Sequence, residues 1–347
     1  MGADHSTAPF VALADLASAR VGGRAIAAND DFFASKSNLV KQAPPIFIPD
    51  KFTSRGKWMD GWESRRRRSP GHDWCVVALG MRGVVHGINV DTSYFTGNFP
   101  SHGSLDALDL STPLDRIRIT RRAGKGLYEV QGDPWVTLVP RSALHGNSDN
   151  LFEILDRRPW THVRLNIFPD GGVARLRVYG EATVDWAAAA RRRGTPDLAS
   201  IRNGGLVLGA SDMHFGARDN LIMPGRARNM GDGWETRRRR GPGHDWAIVR
   251  LGAPGSISRI EIDTNHFKGN YPESASLEAC LAPGAPLESL ARQAWRELLP
   301  RTPLRPHHRH FFSDTLAHTG PVSHVRLNIF PDGGVSRLRV YGSVSAS

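Results

Sequence analysis

Acids, arginines and a histidine stand together in Asp60 to Trp74 (DGWESRRRRSPGHDW), and again in Asp232 to Trp246 (DGWETRRRRGPGHDW). These residue types could bind a carboxylate and move a proton. The planar arginine fork binds a carboxylate through two parallel N–H···O bonds. A histidine beside an aspartate, as in His72-Asp73 and His244-Asp245, can move a proton near neutral pH. Four consecutive arginines cannot form an ordinary half-buried strand, because alternation would drive two unpaired charges into the core. Either the run is a solvated edge paired with Asp60 and Glu63, or one parity, Arg65 and Arg67 or Arg66 and Arg68, walls a pocket. A second polar phrase, Asp91 to Pro100 (DTSYFTGNFP), returns as Asp263 to Pro272 (DTNHFKGNYP). Its Asp, Gly and Asn after a strand end read as a ligand loop or a self-bonded turn.

The repetition sets the architecture. Thirteen of the fifteen positions in the first phrase are identical, and His162 to Gly180 returns as His324 to Gly342 with one change, Ala174 against Ser336. The offset between copies is 182 at Asp30, 172 at Asp60 and 160 at Trp135, so the first copy carries ten extra residues after Leu39 and twelve more between Pro100 and Trp135. Both insertions, including Pro44-Pro45 and Arg116 to Gly126, are expected to be loops. A period this long is a whole domain with its own core. The chain divides into an N-terminal extension (1–21), a first repeat (22–182), a linker (183–204) with one short helix at Asp185 to Arg192, and a second repeat (205–347).

Strands dominate. Trp74–Leu79 and Trp246–Leu251 are short runs with Cys75, Val77, Leu79 and Ala247, Val249, Leu251 facing inward. Val84–Val90 and Ser256–Ile262 alternate as half-buried antiparallel strands, with Ile88, Val90, Ile260 and Ile262 on the core face. Val163–Tyr179 reads as a hairpin turning at Pro169-Asp170-Gly171-Gly172. Its polar face, Arg164, Asn166, Arg175, Arg177 and Tyr179, meets either solvent or a neighbour. Leu287–Leu299 has helical spacing, whereas the first copy is interrupted there by Pro134, so the segment reads as helix or strand. The expected fold class is all-β, two tandem β-sandwiches.

Composition bounds the rest. The two cysteines, Cys75 and Cys280, occupy unmatched positions; as free thiols they fit a reducing compartment. There is no signal-peptide pattern and no run of ~18 apolar residues, so the cytoplasm is expected and a membrane is not. The net charge of +11 raises nucleic acid, but 39 of 45 basic residues are arginine, a skew that a G/C-rich genome produces, and no aromatic platform accompanies them. No nucleic-acid partner is expected. His307, His308 and His310 lack a metal-ligand period, and no phosphate loop or nucleophile elbow is present. No metal or other cofactor is expected, with a divalent ion left open.

The paired DGWE[ST]RRRR-x-PGHDW, DTxxFxGN-[FY]-P, LxPR-x-xL and HVRLNIFPDGGV-x-RLRVYG blocks, with Asp30-Asp31-Phe32-Phe33-Ala34, resemble the allantoicase family from about Gly22 to Gly342. The resemblance implies jelly-roll sandwiches similar to galactose-binding or discoidin-type modules. It implies a hydrolase that splits a ureido C–N bond of allantoate, giving ureidoglycolate and urea in purine nitrogen catabolism. It also implies a homo-oligomer, a trimer or hexamer. Such a substrate wants Arg for its carboxylate, Asp, Glu or Asn for ureido N–H groups, and one acid/base group. The residues that offer these are His72 and Glu63, or His244 and Glu235, as catalytic groups, with Arg65, Arg67, Asp91 and Asn98, or Arg237, Arg239, Asp263 and Asn270, as substrate-binding groups. His72 or His244 is expected to donate the proton. The alternative is a non-catalytic tandem carbohydrate-binding protein of the discoidin type, and a third reading has one half idle and serving assembly.

Overall fold

The computed structural model describes residues 8–110, 119–121, 128–130, 134–191 and 194–345. The chain is all-β and folds as two compact units, Met1–Thr183 and Val184–Ser347, each a jelly-roll sandwich. No helix among the described residues is long and apolar enough to cross a membrane.

One strand organises each unit. In the first it runs 19 residues, Asp73–Asp91. Its first part pairs with Arg24–Ala28 on one side and Pro159–Phe168 on the other. Pro159–Phe168 continues to His102–Leu108, and that strand to Val136–Ala143. Its last part pairs instead with Arg175–Ala182 and Asp149–Glu153. The same strand therefore belongs to both sheets of the sandwich. The second unit repeats this with Asp245–Asp263, flanked first by Leu206–Ala210 and Val322–Phe330 and then by Arg337–Val344 and Arg309–Phe312.

Two expectations are corrected by this topology. Trp74–Leu79 and Val84–Val90 are not separate strands, nor are Trp246–Leu251 and Ser256–Ile262. Gly80 breaks no strand; it admits a close neighbour, since a Cβ there would sit 2.6 Å from the Val21 carbonyl oxygen. Val163–Tyr179 is not a hairpin: the chain reverses at Pro169-Asp170, but the flanking strands pair with different parts of the long strand and not with each other. Leu287–Leu299, read as helix or strand, holds some of each. Only Leu287–Leu290 is helical, and Arg296–Pro303 is a strand beside Ser274–Cys280. Leu298 and Leu299 are buried there, so sheet packing outweighs helical spacing.

The core faces follow the alternation, except that Leu79 is only half-buried and that Val76 and Ile248, on the other face, are buried. Cys75, Val77, Ile88, Val90, Val163, Leu165, Ile167, Leu176 and Val178 are buried, as are Ala247, Val249, Leu251, Ile260 and Ile262. The polar face departs from expectation at Arg175 and its repeat Arg337, both fully buried. Arg175 meets neither solvent nor a neighbouring chain: its Nη2 donates to Asp60 Oδ2 at 2.7 Å, its Nη1 to the Asp60 carbonyl at 2.7 Å and its Nε to the Ala43 carbonyl at 3.0 Å. Arg337 holds the carbonyls of Asp232 and Gly225 in the same way. Each pair anchors the stretch that precedes the tryptophan–glutamate phrase.

The stretch read as an N-terminal extension contributes the edge strand Ala14–Asp15, paired with Arg175–Ala182, and the buried Leu16 and Ala17. The linker region carries a helix at Trp186–Ala190, capped by Asp185. The insertion after Leu39 is a long loop ending in a tight two-stranded turn, Phe52–Thr53 against Gly56–Lys57. Of the second insertion, Ile119–Arg121 pairs with Tyr128–Val130; the rest of Arg116 to Gly126 lies outside the described residues.

Candidate active site

The arginine run is an irregular segment, neither strand nor core. One parity is used, but on the protein's own acids. Arg65 Nε donates to Asp30 Oδ2 at 2.7 Å, and Arg67 Nη1 to Asp73 Oδ1 at 2.7 Å. Arg237 pairs with Asp212 and Arg239 with Asp245 in the same manner. Backbone amides help: Arg67 N donates to Asp170 Oδ2 and Arg239 N to Asp332 Oδ2. These arginines pin the loop to the turn at Pro169 or Pro331. Asp73 serves Arg67 and Asn29, and Asp245 serves Arg239 and Ser211. The adjacent histidines turn away and pack on rings, His72 on Phe168 at 4.6 Å and His244 on Phe330 at 4.8 Å between centroids.

Glu63 goes elsewhere, and Asn98 goes with it. Trp62–Glu63 pairs with Gly172–Val173. Alternation buries Trp62, whose Nε1 donates to the Asp30 carbonyl at 2.8 Å, and turns Glu63 outward. Gly172 must be glycine: a Cβ there would lie 1.9 Å from the Phe95 ring. Its N–H donates to the Asn98 carbonyl at 2.7 Å, which fixes the loop so that Asn98 Nδ2 donates to Glu63 Oε1 at 2.7 Å. Glu63 is half-buried, and that desolvation raises its pKa above the ordinary glutamate value despite the Asn98 hydrogen bond, which lowers it.

Glu63 and Asn98 face a cleft of about 480 Å³ whose other walls include Phe33, Phe47, Lys57, Met59, Tyr94, Thr96 and Asn147. That size suits a small-molecule site, typically ~300–1,000 Å³. The insertion after Leu39 supplies much of the wall. The Phe47 ring stacks on Tyr94, 5.6 Å between centroids at 18°, and Lys57 Nζ lies 4.7 Å over the Phe47 ring. Tyr94 has φ 68° and Asn147 φ 49°. The Tyr94 amide donates to Asn147 Oδ1 at 2.8 Å, tying the two loops together. The cleft thus joins one carboxyl of raised pKa, one ammonium, side-chain amides and an aromatic wall.

The second domain keeps the frame and changes the walls. Trp234 Nε1 donates to the Asp212 carbonyl at 2.8 Å, and Asn270 Nδ2 donates to Glu235 Oε1. His266 stands for Tyr94 and His307 for Asn147, and the loop tie survives in new chemistry: the His266 amide donates to His307 Nδ1 at 2.8 Å. Lys268 replaces Thr96. The stretch carrying Phe47 and Lys57 has no full counterpart, since Leu221 to Asp232 is ten residues shorter than Leu39 to Asp60.

Of the expected sets, the structure brings together Glu63 with Asn98 and Glu235 with Asn270. Arg65, Arg67, Arg237 and Arg239 are held by internal acids. Asp91 and Asp263 are buried at the ends of the long strands, and their Oδ1 atoms accept the Ser93 and Asn265 amides at 2.8 Å. His72 does not line the Glu63 cleft, and His244 lines a different one. Phe47, Lys57, Tyr94 and Asn147 were not anticipated; the Phe-rich insertion was the one signal that could have marked them. The other histidines are engaged locally, His310 accepting the Arg305 amide and His308 bonded to the Arg305 guanidinium. Among the described residues no group of three or more His, Cys, Asp or Glu side chains is placed to hold a metal ion.

The family model for the allantoicase repeat matches twice, over residues 14–183 and 196–345. The chain is 49% identical over 332 residues to a probable allantoicase of Burkholderia mallei, covering 95% of this chain and 94% of the relative. It is 49% identical over 350 residues to a probable allantoicase of Pseudomonas paraeruginosa, covering 99% and 98%. The crystal structure of allantoicase from Saccharomyces cerevisiae superposes with a TM-score of 0.77 at 33% identity, covering 95% of this chain and 92% of that one. The chain belongs to the allantoicase family.

Proposed function

We propose that this chain hydrolyses allantoate to ureidoglycolate and urea, and that the first-domain cleft is where it does so. The observation that carries the assignment is Glu63: a half-buried carboxyl of raised pKa, held by Asn98 and facing a cleft with a lysine and an aromatic wall. Allantoate carries one carboxylate and two ureido groups on a single carbon. Lys57 takes the carboxylate. Asn147 and Tyr94 meet the ureido groups. Neutral Glu63 protonates the leaving ureido nitrogen, and the C–N bond breaks as the lone pair of the other ureido nitrogen forms a C=N bond. Urea departs. Water then adds to the carbon, giving its proton to the Glu63 carboxylate, which restores the acid. Glu63 gives and recovers the one proton that moves, so the scheme as written uses no cofactor, and a chelator is expected to leave the rate unchanged.

The test is kcat/KM for urea release from allantoate as a function of pH. Glu63 acts in its protonated form, so activity is expected to fall as pH rises through its raised pKa. Glu63→Gln should lower the rate ~10²–10⁴-fold, the usual range for one general acid, and remove that limb. An unchanged limb in Glu63→Gln sinks the assignment.

Two coarser attributes belong to the same reading. A cytoplasmic location agrees with two buried, unpaired thiols, Cys75 and Cys280. A homo-oligomer, trimer or hexamer, agrees with the exposed Phe32, Ile46, Ile48 and Phe52 around the insertion; sedimentation velocity decides it.

A further inference from the structure

We infer that the Arg305–His310 loop of the second domain is a proton sensor: His307, His308 and His310 hold it through imidazole lone pairs, and acid releases it. The phrase that supplies them, Pro306-His307-His308-Arg309-His310, takes no part in the hydrolytic cleft.

The donors fix the role of each ring. The His266 amide donates to His307 Nδ1 at 2.8 Å and the Arg305 amide to His310 Nε2 at 2.8 Å, while Arg305 Nη2 lies 2.7 Å from His308 Nε2. Amides and guanidinium groups offer only N–H at these atoms, so each imidazole nitrogen must accept. His310 is occupied on both sides, since its Nδ1 donates to the Ile262 carbonyl at 3.0 Å. A proton added to an accepting nitrogen turns the bond into two N–H groups facing each other, and at His308 it sets cation against cation.

The surroundings of His310 work in the same direction. It is buried, and burial lowers its pKa; the Ile262 carbonyl opposes this, His308 and Arg305 lower it further, and Asp263 opposes. Asp263 itself lies 3.8 Å from Arg226, and Arg309 is paired with Glu261 at 2.6 Å. His307 faces the His266 ring at 5.7 Å and His308 the His310 ring at 5.0 Å between centroids. The unfolded imidazole titrates near 6.5. Through His310 the loop is therefore fully stabilised above that pH and loses stability as pH falls through the lowered folded value.

The first domain builds the same loop without titratable acceptors. Thr92 and Thr264 donate alike, to the His145 carbonyl at 2.6 Å and the Arg305 carbonyl at 2.7 Å, and Asn147 and His307 share φ 49° and 48°. There, however, Asn147 Oδ1 accepts the Tyr94 amide and Asn150 Oδ1 the His145 amide, each at 2.8 Å. An amide oxygen keeps its lone pairs where an imidazole loses one. Release would reach the Glu235 frame: the His307 amide donates to the Phe267 carbonyl at 2.9 Å, and the Phe267 ring fills the space beside Gly334, the strand partner of Glu235.

The experiment is hydrogen exchange of the full chain, read by mass spectrometry from about pH 7.5 to about pH 5, with protection corrected for the intrinsic pH dependence of exchange. Protection of 264–268 and 305–310 should fall about tenfold or more towards acid, while 92–96 and 145–150 hold theirs. His307→Asn with His310→Asn, the side chains of the first domain, should make the second loop equally indifferent to pH. Imidazole 15N shifts of the unaltered chain give a readout that needs no variant: His307 Nδ1, His308 Nε2 and His310 Nε2 should carry no proton at the upper pH. Flat protection in the unaltered chain, an equal loss in both domains, a double variant that still responds, or a proton on those nitrogens at the upper pH overturns the inference.

Discussion

The two domains differ most where their shared phrase meets the loops around it. Both hold a buried tryptophan, an outward glutamate and an asparagine that donates to it. In the first domain the insertion after Leu39 adds Phe47 and Lys57 to that pair and Tyr94 closes on Phe47. In the second the insertion is absent, and His266 and His307 replace Tyr94 and Asn147. Duplication preserved what orients the glutamate. The cation and the aromatic wall belong to one copy. The difference teaches that the doubled motif orients a glutamate in both domains, while unrepeated residues decide what surrounds it.

Loss of the frame should hurt either domain. Arg175→Ala and Arg337→Ala each strand a buried carboxylate and several carbonyls, so each is expected to cost about 3–5 kcal/mol, read as denaturant midpoints. A mild effect at one of them would show that the frames are not equivalent. Loss of the wall should hurt the first domain alone. Lys57→Ala should raise KM for allantoate with little change in kcat, a loss of about 1.5–3 kcal/mol for a charge-assisted contact, whereas Lys268→Ala should change neither constant. Parity between the two would break the asymmetry.

A smaller contrast lies in acid stability. Burial pushes the His324 imidazole down to about 4. Its unfolded value is near 6.5, so the folded state resists a proton that the unfolded state accepts. Stability is therefore lost as pH falls from 6.5 to about 4. The first-domain counterpart, His162, is also lowered by burial, but Asp109 opposes the shift. His324→Gln should flatten the acid limb of the pH–stability curve more than His162→Gln, as read by thermal melts between pH 4 and 7; the reverse order would contradict this account of the two sites.

The core faces were legible because alternation is a local property: Cys75, Val77, Ile88 and Val90 declare their side by spacing alone. The pairing of Glu63 with Asn98 was also within reach, since both lie in repeated phrases. The arginine run was legible only halfway. Strand sterics excluded it from the core, but nothing local says that Asp30 and Asp73 are already the partners of Arg65 and Arg67. Gly80 marks a close backbone approach inside one continuous strand, which the sequence divides into two runs. The Val163–Tyr179 reversal misled because strand partnership is long-range: the long strand, far earlier in the chain, takes both arms. Phe47, Lys57 and Tyr94 converge only through tertiary folding, and no spacing announces it.

The central claim is that the first domain works at Glu63 and the second does not work at Glu235. Urea release from allantoate by Glu63→Gln and Glu235→Gln, measured side by side on folded protein, tests it most directly. The account predicts a loss of ~10²–10⁴-fold in Glu63→Gln and a rate close to that of the unaltered chain in Glu235→Gln. Full activity in Glu63→Gln, or an equal loss in both, would contradict it.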